Sequence, residues 1–129
     1  LPYLPHFDKN RYLKAMIYLH DVVEDHGPIH FGRLLDPAEI DSRRRRLPAN
    51  YKDLGLNTIK ASEMISGMEP VLGKAGDVIF FDTNAAHRAG IVSEGFERNV
   101  IRFDFNVLGF NPQKSFIQRL FSVVSSRLR

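Results

Sequence analysis

The punctuation of the second half of the chain most limits its fold. Short apolar and β-branched runs at 58–61, 69–72, 77–82 and 98–107 are separated by turn-forming residues, namely Ser66-Gly67, Gly73-Lys-Ala-Gly76, Asn84 and Glu94-Gly95. Strands this short and this closely spaced argue for an antiparallel sandwich or barrel rather than βαβ units.

The first half adds a strand over 12–19, a Gly27-Pro28 turn, and a short strand or extended segment over 29–35. Asp36-Pro-Ala-Glu39 then has the form of a helix start: a capping carboxylate, proline at the first helical position and an acid in the first turn. A short helix is expected to run to about Arg46 and to stop at Leu47-Pro48, with a loop over 49–55. After Asn111-Pro112, the residues Phe116, Leu120, Val123 or Val124, and Leu128 recur at helical spacing and predict an amphipathic C-terminal helix over 111–129. With 129 residues, 43% of them hydrophobic, the chain can bury a core. One mainly β domain is expected, with its core over 1–110 and the terminal helix packed on it. The chain opens at Leu1 rather than Met, so a fragment lacking upstream strands or a processed product is the expectation.

The formal net charge is +3, and the excess is local to Arg43, Arg44, Arg45 and Arg46 and to Arg127 and Arg129. Such a bias permits acidic partners without requiring them. Without cysteine there can be no disulfide, thiolate metal site or cysteine nucleophile, so a metal would sit on histidine and carboxylate ligands. No apolar run approaches eighteen residues and no basic-then-apolar leader precedes the first strand, so a soluble, cytoplasmic chain without a membrane span is expected.

Histidine is scarce, with five in the chain, which gives weight to Pro5-His-Phe-Asp-Lys-Asn10. On an extended backbone, residues two apart point the same way, so His6 and Asp8 can aim an imidazole and a carboxylate at one point. His87, between a strand and Gly90, is the best third ligand. Two neutral imidazoles and one carboxylate on one face of a metal, with the opposite positions open, suit non-haem Fe(II) oxygen chemistry. Arg98, at the start of the next strand, offers the guanidinium fork that a chelating dicarboxylate needs at its far end.

Taken in order, His6-Phe-Asp8, Leu13-Lys14, Tyr18-Leu-His-Asp-Val22, Gly27-Pro28, Gly76-Asp-Val-Ile-Phe-Phe-Asp82, His87-Arg-Ala-Gly90 and Arg98 resemble the phytanoyl-CoA dioxygenase family. The resemblance implies a double-stranded β-helix (jelly roll) and an Fe(II)/2-oxoglutarate-dependent dioxygenase. It implies iron on His6, Asp8 and His87, and the distal carboxylate of 2-oxoglutarate on Arg98. Dioxygen would be consumed, an unactivated C–H of a small-molecule substrate hydroxylated, and succinate and CO2 released. Asp8 aligns the chain with hydroxylases rather than with halogenating relatives, which carry a small residue there. Two departures from the family pattern are the run Gly27-Pro-Ile-His-Phe-Gly-Arg33, which lacks a Gly-Ser-His stretch, and Ala89, where some members have a hydroxyl.

Lys14, Met16 and Tyr18 share a strand face, so Lys14 or Tyr18 can reach cosubstrate or substrate, although a solvated edge lysine is the expected reading of Lys14; Arg102, on the same face as Arg98, is the fallback anchor or else a substrate contact. His20, His26 and His30 read as surface histidines. Asp77 reads as a turn residue, and Asp82 with Thr83 as shaping the approach to His87. The arginine run reads as a solvated helix face, with phosphate binding as the alternative. Two other functions compete with the oxygenase: a jelly-roll binding module without catalysis, and a basic nucleic-acid-binding domain.

Overall fold

A computed structural model describes residues 3–106. The expected terminal helix over 111–129 lies outside them. In chain order the elements are β1 (Tyr12–Tyr18), β2 (Ile29–Gly32), α1 (Pro37–Arg45), β3 (Glu69–Pro70), β4 (Val78–Asp82), β5 (Ala86–Ala89) and β6 (Val100–Asn106), with 3-10 turns at Glu24–His26 and Ala61–Glu63. The strands form two antiparallel three-stranded sheets, in the orders β4-β1-β6 and β3-β2-β5. Among the described residues the fold is therefore mainly β with one α-helix.

The register of the first sheet follows from its alternation. Lys14 lies opposite Phe81 and Asp104, and Met16 opposite Ile79 and Arg102, so these residues share the inner face. Leu13, Phe80, Val78, Ile101, Phe103 and Phe105 stand on the outer face, which is apolar and exposed. Inward-facing Met16, Tyr18 and Phe81 pack with Val22 and Ile29 into a core between the sheets, with Phe31 and Val71 against it. The rings of Phe31 and Phe81 lie 4.9 Å apart, and the buried Tyr18 hydroxyl donates to the Val71 carbonyl at 2.7 Å.

A second core gathers Phe7, Leu34, Ile40, Ile59 and Ala86 under α1. The helix forms where its cap predicts it: the Asp36 carboxylate accepts from the Ala38 N–H, and Pro37 needs no donor partner there. Ile40 is its one buried residue.

Two local expectations change. Residues 58–61 do not form a strand; Thr58 makes a single bridge to His6 and the chain then turns at Ala61–Glu63. Ala86–Ala89 is a strand, because pairing with β2 on one side and His6 on the other supplies the ladder that its own composition does not predict. Glycine is required where these elements meet. A Cβ on Gly90 would stand 2.6 Å from the Pro28 carbonyl oxygen and 2.7 Å from the Gly27 carbonyl carbon, while Gly27 itself has φ of +63°. No described helix is long and apolar enough to cross a membrane.

Candidate metal centre

His6 and His87 meet through the backbone before they meet through their rings. The His6 N–H donates to the His87 carbonyl at 3.0 Å and the His87 N–H donates back at 3.1 Å, a hydrogen-bonded antiparallel pair. Such residues project to the same side, and the two ring centroids lie 4.5 Å apart. Alternation sends Phe7 and Ala86 the other way, into the core under α1. Asp8 returns to the side of His6. One donor atom from each of His6, Asp8 and His87 fits within a mutual separation of 4.8 Å, and this is the one such cluster among the described residues. The expected triad is thus brought together, and the Asp8 Oδ1 to His87 Nε2 distance is 3.8 Å.

Hydrogen bonds fix the tautomers. His6 Nδ1 lies 2.8 Å from the Leu4 carbonyl oxygen, and His87 Nδ1 lies 2.8 Å from that of Ala85. A carbonyl only accepts, so each Nδ1 carries its hydrogen and each Nε2 keeps a lone pair for the cluster. Burial pushes the His87 imidazole down to about 4, against the opposing pull of its bond to Ala85. The ring is neutral near pH 7, the state in which it can ligate.

The surrounding chain immobilises this corner. The Phe7 N–H donates to the Asn57 carbonyl, the Asn57 side-chain amide donates to the Phe7 carbonyl, and the Ile59 N–H donates to the Pro5 carbonyl. Arg44 Nε donates to the Asp8 carbonyl at 3.0 Å, and the Arg43 and Arg44 guanidiniums lie 5.1 and 5.8 Å from the Phe7 ring centroid. Arg43 also bonds Glu63 and the Thr58 carbonyl. The expected solvated arginine face is therefore corrected: Arg43 and Arg44 turn inward to hold the segment that carries Phe7 and Asp8, and Arg45 and Arg46 are exposed. Four like residues in succession conceal that sidedness.

Lys14 is not the solvated edge lysine expected: it is 8% exposed, and its ammonium donates to Asp8 Oδ2 at 2.5 Å. A lysine on the otherwise apolar face of Met16 and Tyr18 is a signal of a paired buried charge. Its partner is not visible in the sequence, because a turn separates the two. Tyr18 bonds Val71 and does not line the cavity.

The triad opens into a cavity of about 700 Å³, whose lining includes Lys14, Met16, Phe81, Arg98 and Arg102. Among the described residues, Arg98 Nη1 is buried with no hydrogen-bond partner. Arg102 is half-exposed and pairs with Asp104 at 3.2 Å. Asp77 accepts from the Lys74 N–H, as a turn residue should, and Asp82 with buried Thr83 builds the turn into β5. His20, His26 and His30 are half-buried, bonded to nearby backbone, and outside the cluster.

Compared with family models, curated proteins and solved structures, the chain gives no match in any of the three.

Proposed function

We propose that this chain is an Fe(II)/2-oxoglutarate-dependent dioxygenase that hydroxylates a small molecule on a double-stranded β-helix. One observation carries the reading: His6, Asp8 and His87 converge at a cavity that also contains the partnerless buried Nη1 of Arg98. The donor set fits the metal, since two imidazole nitrogens and a carboxylate oxygen without thiolate suit a divalent first-row ion with open positions. The cosubstrate fits as well, because a buried guanidinium nitrogen without a partner is costly until an anion meets it. Two antiparallel sheets packed through Tyr18, Ile29, Phe31 and Phe81 are in keeping with the proposed fold.

His6 and His87 would hold the ion through Nε2 and Asp8 through Oδ1, which leaves the cavity side open. Iron, when bound, supplies the oxygen-activating chemistry, with dioxygen and 2-oxoglutarate consumed and succinate and CO2 released. Arg98 receives the distal carboxylate and fixes the orientation of the oxo acid. Met16, Ile29, Phe81 and Val100 give the cavity an apolar wall that limits water around the reacting C–H. A cavity of about 700 Å³ is in the range of small-molecule sites.

The test is anaerobic binding of Fe(II) and 2-oxoglutarate followed by succinate release in air. The expected result is binding and stoichiometric succinate in the parent chain and neither in His87→Ala. Folded parent protein that binds neither, with His87→Ala indistinguishable from it, would remove the proposal.

A further inference from the structure

Asp8 divides its two oxygens. Oδ2 takes the Lys14 ammonium, while Oδ1 faces His87 Nε2 at 3.8 Å. The lysine has little freedom to leave: its side chain is 10% exposed, and it sits mid-strand in a row with Phe81 and Asp104. Asp104 in that row pairs with Arg102, so Asp8 is the acid in direct contact with Lys14. A buried ammonium requires an anion, and Asp8 supplies it.

We infer that Lys14 is a positioning residue that holds Asp8 ready in the metal-free protein, restricts it to ligation through one oxygen, and acts as an electrostatic brake on cation affinity. The inference rests on His6, Asp8 and His87 being metal ligands. With Lys14 in place, the ligand set and its counter-ion are together neutral; without it, they carry one negative charge. Repulsion between an ammonium and a dication that share a carboxylate outweighs the one orienting hydrogen bond that Lys14 contributes. Removing the positive charge should therefore tighten metal binding while weakening the metal-free fold. A residue that merely supports structure would move both in the same direction.

The experiment uses the full chain and Co(II) as the probe, with affinity read by calorimetry and metal-free stability by thermal unfolding in chelator. Lys14→Met and Lys14→Gln are expected to bind Co(II) about tenfold or more tightly than the parent. Both should melt at lower temperature when metal-free, and Lys14→Arg should bind as the parent does. Lys14→Gln keeps a donor for Oδ2 and carries the test if Lys14→Met does not fold. Weaker or unchanged Co(II) binding in the neutral variants, with His87→Ala abolishing binding in the parent, would overturn the role of Lys14 and leave the metal site standing. A parent chain that binds no Co(II), or binds it equally after His87→Ala, would overturn both.

Discussion

The two ends of the cavity are built on opposite terms. At the His6, Asp8 and His87 end, these atoms of the three residues themselves have partners: Leu4 and Ala85 carbonyls on the two Nδ1 atoms, Lys14 on Asp8 Oδ2, and Arg44 on the Asp8 carbonyl. At the Arg98 end, a buried guanidinium nitrogen has no hydrogen-bond partner among the described residues. The first end is held by the protein and can accept few geometries, as metal ligation demands. The second leaves a donor unspent, which the proposed function assigns to an incoming anion.

The most severe way to break the contrast is to remove both ends at once. Gly90→Ala would drive a methyl into the backbone of Gly27 and Pro28, displacing the end of β5 just past His87. A loss of about 3 kcal/mol in urea unfolding is expected. His87→Ala removes one end alone, and Mn(II) affinity in calorimetry should fall by at least about a hundredfold, about 2.7 kcal/mol, to below detection. Arg98→Met is the mirror test. Affinity for 2-oxoglutarate should drop by about thirtyfold, roughly 2 kcal/mol, while Mn(II) affinity stays within about twofold.

Acid gives the mildest perturbation. Because the folded His87 imidazole is lowered from 6.5 to about 4, the unfolded chain binds more protons between those values, and stability falls as pH drops through that window. For the metal-free protein, the contribution lost between about pH 7.5 and 5.5 is roughly 1.4 kcal/mol. His87→Gln should lack that part of the slope in matched denaturation curves.

The cluster of His6, Asp8 and His87 was legible because its logic is local. His6 and Asp8 sit two apart on extended backbone, and the cap that starts α1 is written in four consecutive residues, Asp36 to Glu39. The position of His87 was legible, but its strand was not. Ala86-His-Arg-Ala89 has no β-branched residue, and its ladder comes from β2 and His6, far away in sequence. Residues 58–61 misled in the opposite direction, since Thr58 and Ile59 favour strands but only one bridge forms. The contacts of Lys14, Arg43 and Arg44 depend on which way the chain folds back after Asp8. No spacing encodes that choice.

The paired backbones of His6 and His87 tie ligand geometry to strand registry. Sliding the first segment by a single residue along β5 would turn Phe7 toward the cavity and carry both His6 and Asp8 to the far side, so no halfway arrangement retains the centre. A divalent ion would then recognise only molecules whose leading segment has docked in the correct frame. Its binding would fasten that segment in place, and the melting temperature would climb with ion concentration. Titration with the ion would thus count correctly assembled chains as well as measure affinity.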